Sequence, residues 1–335
     1  MKDVAANISD PIRGMVDARA VMAPMSGVTD VPFRLIMRKF GCRFAFTEMI
    51  DVNGIVYNNR KTLSMLERPE KDSPLGVQIV GENKEKIIHA AKVCEGKGFD
   101  LIDLNVGCPA PKVIKGGKGV ALLKDLRKLA GIVRKLVKSV KLPVTVKIRS
   151  GWDRKNLNYL EAAKIIETEG ASAICIHPRS REQQYKGKPD HDMIREIVEA
   201  VDIPVFASGN MFKPQDIEEV ISLTGCDGVF IARGVLGKPW IFRQIEEYSS
   251  GEEYSWDPSF DELKRIIMEH VSLSLKYYEE RLAFSRMYKH ICWYLKKYKN
   301  LNEIMKEYVR AREWGSFLIF MDKLRLEGNR LVSED

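Results

Sequence analysis

Four short runs, PVTVKI (143–148), SAICIH (172–177), IPVFAS (203–208) and DGVFIA (227–232), decide the fold. Each is apolar, rich in β-branched residues and too short for a helix, with helical periodicity in the gaps. Four earlier runs continue the pattern backwards: AVMAPM (20–25), FAFTEM (44–49), LGVQIV (75–80) and DLIDLN (100–105). Helical segments are predicted over 83–97, 120–140, 157–169 and 214–223. The first helix starts at Asp30, with Pro32 just inside it, a common start signal. Eight β-runs alternating with helices predict an α/β fold, a (β/α)8 TIM barrel, whose usual size is about 250 residues. An open doubly wound sheet competes, but eight regularly spaced units favour closure.

The runs end at Pro24, Glu48, Gln78, Asn105, Lys147, His177, Ser208 and Arg233. In a barrel all of these would gather on one rim, where barrel enzymes place their chemistry. After residue 250 the pattern changes. SSGEEYSWDPS (249–259) is polar and turn-rich, as a linker would be. Beyond it only helical periodicity is visible, at 261–281, 283–298, 301–313 and 316–327. The predicted organisation is a catalytic barrel over 1–250 and a small all-α helical bundle over 251–335.

Composition narrows the class. The chain has 335 residues, 45% of them hydrophobic and 30% charged, which excludes disordered and collagen-like classes. No apolar stretch is long enough to span a membrane, and MKDVAANISDPIRG lacks the apolar centre of a signal peptide. A cytoplasmic protein is expected; nothing fixes its oligomeric state, and a monomer is expected. Six cysteines, at 42, 94, 108, 175, 226 and 292, form no C-x-x-C pair, so zinc-ribbon and iron–sulfur readings fall away. The five histidines show no metal-ligand spacing.

Charge is unevenly spread. From Lys112 to Arg149 there are twelve Lys/Arg and one acid, on a chain whose net charge is +8. A second run without acids, Arg281 to Lys299, interleaves its basic residues with Phe284, Tyr288, Trp293, Tyr294 and Tyr298. Two basic zones point to a polyanion such as nucleic acid; solvated helix faces explain them equally well.

Three constellations carry chemistry. Ser208-Gly209-Asn210 follows the seventh run and Ala232-Arg233-Gly234 the eighth. Glycine-rich turns at these two loops commonly hold phosphate. Gln78, Lys147 and His177 would line one rim with an amide, an ammonium and an imidazole, suited to a heterocycle that gains negative charge on reduction. Cys108 lies in the Gly/Pro loop NVGCPAP (105–111). A thiol with a pKa of about 8.5 keeps its proton at neutral pH and can act as a general acid. Lys112, Lys115 and Lys118 follow directly and would meet an incoming polyanion.

Taken together, APMSGVTDVPFR, GVQIVG, DLNVGCPAPKV, VKIRSGWD, IHPRSREQQYKG, FASGN, ARGVLGKPWIF and the tail's SRMYKHICWY resemble, in order, the motifs of tRNA-dihydrouridine synthases, most nearly the bacterial B-type. The resemblance implies an FMN-dependent oxidoreductase that uses NADPH to reduce a uridine in the tRNA D-loop. Pro24, Met25, Ser26, Gln78, Lys147 and His177 would contact the flavin ring. Ser208, Gly209, Asn210, Ala232 and Arg233 would hold its phosphate. Cys108 would be the proton donor, with Asn105 positioning flavin or uracil. RNA contacts would come from Lys112, Lys115, Lys118 and Arg179, and from Arg286, Lys289 and His290 on one tail helix, with Tyr288 anchoring the opposite face to the bundle.

Two positions depart from the family pattern, Pro178 and Asp51, both placed to alter RNA contacts. A dihydroorotate dehydrogenase-like FMN barrel and a non-catalytic RNA-binding protein are the competing readings. The first does not need the basic tail, and the second leaves the strand-end residues unexplained.

Overall fold

The computed structural model describes residues 9–252, 256–311 and 313–333. Residues 1–8 of the N-terminal stretch and 253–255 of the expected linker lie outside the described residues. Eight parallel strands close in chain order: β1 (Ala20–Met22), β2 (Ala45–Asp51), β3 (Leu75–Val80), β4 (Leu101–Val106), β5 (Val144–Arg149), β6 (Ala173–His177), β7 (Val205–Ser208) and β8 (Gly228–Ile231). β1 pairs with β2 on one side and β8 on the other, so the open-sheet alternative is excluded. β1 is shorter than its run because Pro24 cannot donate to a ladder.

Alternation along each strand sorts the side chains into two cores. Ile102, Leu104 and Val106 of β4 pack outward against helix residues such as Ile87, Ala90 and Leu129. Leu101 of the same strand packs inward with Phe44, Phe46, Ala173, Phe206 and Phe230. Ile12 and Met15, from a helix over Asp10–Ala18 that the periodicity did not predict, join this inner cluster. Apolar side chains thus fill the lower barrel and leave the upper part to polar ones.

Helix starts follow their caps. The Asp30 side chain accepts from Phe33 N at 3.2 Å. The segment expected as one helix over 120–140 is split: a 3-10 turn at Gly119–Lys124 precedes an α-helix at Leu126–Ser139. Asp125 causes the break by capping the second piece, accepting from Lys128 N at 2.9 Å.

The tail forms four helices, Phe260–Tyr277, Glu280–Leu295, Leu301–Arg310 and Trp314–Lys323, around Phe284, Met287, Ile291, Tyr308 and Phe317. It ends in an antiparallel hairpin, β9 (Leu324–Glu327) with β10 (Arg330–Ser333), where helix was expected to run to 327. The Gly328-Asn329 turn between alternating residues was the overlooked signal. Gly237, at φ 71°, seats the barrel's last loop against the tail; a Cβ there would lie 2.2 Å from the Trp293 carbonyl oxygen. Among the described residues no helix is long and apolar enough to cross a membrane.

The barrel's apolar floor should dominate its stability. Phe46 is fully buried, with its ring centroid 5.6 Å from Phe44 and 5.2 Å from Phe230. Phe46→Ala is expected to lower the unfolding free energy by about 3–5 kcal/mol, read as an earlier urea midpoint.

Candidate active site

The C-terminal ends of the strands open into one cavity of about 510 Å³, a size suited to a small-molecule ligand or cofactor. Its wall brings together Pro24, Met25, Ser26, Gln78, Asn105, Cys108, Lys147, His177, Ser208, Gly209, Asn210, Ala232 and Arg233. Thus the residues expected to contact a cofactor, together with Asn105 and the thiol, share a single chamber.

Cys108 is held by its own loop. Asn105 Oδ1 accepts from the backbone N–H of Gly107 at 3.2 Å and of Cys108 at 2.9 Å. The Cys108 carbonyl accepts from Val120 N at 3.3 Å. Gly119, at φ 60°, permits that approach, since a Cβ there would lie 2.8 Å from the carbonyl oxygen. Burial pushes the thiol pKa up from 9.0, against the Ala110 backbone and the Arg149 charge, which favour the thiolate. Cys108 therefore keeps its proton at neutral pH.

The wall from β5 round to β8 is cationic. Lys147 Nζ donates to Ser208 Oγ at 3.0 Å. Burial first, then the charges of Arg149, Lys147, Arg179 and Arg233, drive the His177 pKa down to about 2, so the ring is neutral. Arg179 Nη1 lies 3.0 Å from His177 Nε2. A guanidinium only donates, so Nε2 accepts and the proton sits on Nδ1. Arg233 is exposed at the rim, donates to Asn210 Oδ1 at 3.0 Å, and lies 5.2 Å from the Tyr185 ring centroid. Gly209, at φ 121°, brings its loop so close that a Cβ would lie 3.2 Å from the His177 ring. The loops after β7 and β8 also meet closely, a Cβ on Gly234 falling 2.0 Å from the Met211 carbonyl oxygen.

The expected RNA contacts fare differently. Lys112 and Lys115 are exposed on the short helix Pro111–Lys115 that follows the Cys108 loop. Lys118, expected to meet RNA, is instead buried, and its Nζ donates to Asp51 at 2.9 and 2.8 Å, which also accounts for the unusual Asp51. Arg179 is fully buried, its guanidinium taken up by His177, Gly187, Asn210 and Lys186. Pro178 is buried, and its carbonyl accepts from Asp190 N at 3.3 Å. His290 is 2% exposed and packs between Phe33 of the barrel helix Val31–Lys39 and His270 of the tail. Arg286 and Lys289 do share a face, but it is the inward one. Arg286 pairs with Asp30 at 3.0 Å, and Lys289 donates to the Gly27 carbonyl. Tyr288, expected to be the anchor, is 42% exposed. Helical spacing groups Arg286 and Lys289 on one face, but that face, expected to meet RNA, meets the barrel, while the Tyr288 ring lies 6.1 Å from Tyr308 of the bundle.

Sequence reasoning missed three residues. Arg149 lies one position beyond the predicted end of its run, and holds the carbonyls of Gly107 (2.9 Å), Ser180 (3.0 Å) and Gln184 (2.8 Å). Tyr185 is an exposed ring on the cavity wall, 5.5 Å from Arg149. Asp103 is fully buried in β4, where it accepts from Thr145 Oγ1 and Gln78 Nε2, each at 2.7 Å. An acid inside DLIDLN was the available signal.

An eight-stranded barrel with a protonated thiol, an ammonium and a neutral imidazole in one chamber defines a barrel enzyme of the strand-end type. Residues 21–322 match the family model described as dihydrouridine synthase (Dus). The chain is 39% identical over 275 residues to tRNA-dihydrouridine synthase B of Pseudomonas putida, covering 82% of each chain. It is 41% identical over 282 residues to a probable tRNA-dihydrouridine synthase of Rickettsia conorii, covering 83% of this chain and 85% of that one. Among solved structures, histamine dehydrogenase from Rhizobium sp. 4-9 superposes with a TM-score of 0.54 at 14% identity. That match covers 76% of this chain and 49% of the dehydrogenase, and is a likeness of fold. The chain belongs to the dihydrouridine synthase family.

The buried acid gives a pH signature. Burial raises the Asp103 pKa from 3.8 to about 6, opposed by the bonds from Thr145 and Gln78 and by Lys147. The folded state thus binds this proton more tightly than the unfolded chain. Its support for the fold is complete at low pH and lost as pH rises through about 6. The melting-temperature difference between Asp103→Asn and wild type should accordingly be more positive at pH 8 than at pH 5, by thermal unfolding in matched buffers.

Proposed function

We propose that this chain reduces the C5–C6 double bond of a uridine in the D-loop of tRNA, with FMN bound in the barrel cavity, NADPH as the reductant, and the cytoplasm as its site of action. The observation that supports this best is one chamber lined by both a protonated Cys108 and the cationic Lys147–Arg233 wall. Family membership favours this reading over a dihydroorotate dehydrogenase-like enzyme and over a non-catalytic RNA-binding protein.

The cavity suits FMN on chemical grounds. Arg233 and the closely approaching Gly209 and Gly234 loops would take the phosphate. Lys147 and Gln78 would hold the ring system, the ammonium stabilising negative charge on it. FMN held there by Lys147, Gln78 and Arg233 would, when reduced, be the source of hydride for C6 of the uracil. Cys108 Sγ gives its proton to C5, which saturates the double bond and leaves a thiolate to be reprotonated from solvent. Neutral His177 adds a polar contact without a competing positive charge. Arg149 fixes the Gly107 carbonyl and so the thiol's loop.

The target base must lie flat in the chamber, which a stacked nucleotide cannot do. Tyr185 offers an exposed ring on the cavity wall for stacking. Lys112 and Lys115 would meet the backbone beside it, and the tail over 251–335 would take a further part of the tRNA. Phosphate contacts release counterions, so affinity should fall steeply with salt.

The purified protein should be yellow and release FMN, and Arg233→Ala should retain it less well. A colourless protein that cannot be reconstituted with FMN ends the reading. Cys108→Ala should bind FMN and accept electrons from NADPH, yet form dihydrouridine about 10²–10⁴-fold more slowly, measured on unmodified tRNA. Turnover near wild type would make Cys108 a structural thiol, and equal activity on free uridine would point to a small-molecule enzyme.

A further inference from the structure

At the floor of the cavity, Gln78 on its wall and Asp103 and Thr145 beneath it occupy matching positions on adjacent strands, Gln78 opposite Asp103 and Asp103 opposite Thr145. Hydrogen bonds continue from this layer to the thiol's loop. An ionised carboxylate only accepts. Asp103 Oδ2 accepts from Gln78 Nε2 at 2.7 Å, which turns Gln78 Oε1 the other way. That oxygen accepts from Asn105 Nδ2 at 2.8 Å, which turns Asn105 Oδ1 toward the loop. Asn105 Oδ1 then accepts from the backbone N–H of Gly107 at 3.2 Å and of Cys108 at 2.9 Å.

An amide can be turned end for end, so the direction of such a chain needs a cause. Here both ends supply one. Backbone N–H groups can only donate, which demands the Asn105 oxygen at the loop. The carboxylate can only accept, which demands the Gln78 nitrogen at the floor. Two amides lie between them, and the two demands agree. We infer that Asp103 is a positioning residue: its carboxylate sets the direction of the Gln78 and Asn105 amides and so pins the loop that carries Cys108.

The consequence for catalysis rests on the proposed role of Cys108 as proton donor; the pinning itself does not. The groups facing Asp103 are Gln78 from β3, Thr145 and Lys147 from β5, and Cys175 from β6. None of these can replace an acceptor-only group at the start of the chain. The carboxyl also sits where burial opposes its charge, so stability alone does not explain it.

Asp103→Asn puts both a donor and an acceptor at the floor, so the floor no longer rejects a turned Gln78 amide and the loop N–H groups hold the direction alone. Asn105→Asp adds a second acceptor-only group, and Gln78 can then satisfy only one of the two carboxylates. With both changes, the amide introduced on β4 at the floor would donate to Gln78 Oε1. Gln78 Nε2 would in turn donate to the carboxylate introduced beside the loop, which would still accept both loop N–H groups. A single direction returns, reversed at Gln78.

The test uses flavin-free protein, so it is independent of the redox reading. Wild type, Asp103→Asn, Asn105→Asp and the double variant are labelled with iodoacetamide, and the rate at Cys108 is followed by peptide mass spectrometry, with amide exchange of the 105–108 peptide alongside. Each single variant should label Cys108 about five- to tenfold faster, the change expected when local opening loses a hydrogen bond of ordinary strength. The double variant should return to within about threefold of wild type. Should one single variant fail to fold, the other carries the comparison with the double. Single variants that label at the wild-type rate, or a double variant as fast as the singles, overturn the inference. If the pattern holds and Cys108→Ala still turns over normally, the pinning stands and the acid role of Cys108 falls.

Discussion

Closure of the sheet, with Ala20, Val21 and Met22 of β1 lying opposite Val229, Phe230 and Ile231 of β8, is the constraint on which the rest depends. Once eight parallel strands form a ring, alternate side chains of every strand point to one axis. Low on that axis Phe44, Phe46, Phe206 and Phe230 fill the space. Higher up, the same rows deliver Gln78, Asn105, Lys147 and His177 to one chamber. The chamber is thus a continuation of the core, and its polar groups rest on a floor that cannot shift without disturbing packed aromatics.

Within that chamber the electrostatics run in one direction. Burial, and then the charges of Arg149, Lys147, Arg179 and Arg233, keep His177 neutral, while Cys108 is kept protonated mainly by burial. Cationic and neutral donors therefore dominate the cavity wall, an arrangement suited to an electron-rich, anionic ligand. Asp103 is the buried acid among them and lies beneath the cavity, satisfied by Thr145 and Gln78.

The strands and their ends could be read from sequence because period-2 alternation and terminal polar residues are local properties. β3 matches its predicted run to the residue, Leu75–Val80. Asp103 escapes such a reading because its value lies in partners 25 and 42 positions away, which no local pattern records. The tail is hard to read for a different reason. Spacing of three places Arg286 and Lys289 on one helical face, but an aromatic and cationic helix does not reveal which face its neighbour takes. Arg286 stacks on Tyr278 and bonds Asp30, so the charged face turned inward.

That inward face links the tail to the chamber. Asp30 caps the helix Val31–Lys39 and also accepts from Tyr278 and Arg286, so a single carboxylate joins barrel and tail. Lys289 donates to the carbonyl of Gly27, whose N–H is taken by Glu48 at the end of β2. Ser26, one residue earlier, lines the cavity. Burial raises the pKa of both Asp30 and Glu48, and the nearby cations Arg286 and Lys289 act against that rise. Removing Arg286 would leave the buried Asp30 short of a charged partner, a costlier state than losing an exposed pair, and removing Lys289 would leave the Gly27 carbonyl without its donor. The basic residues of this helix therefore hold the cavity's first loop in place from outside the barrel, and the tail is part of what shapes the site.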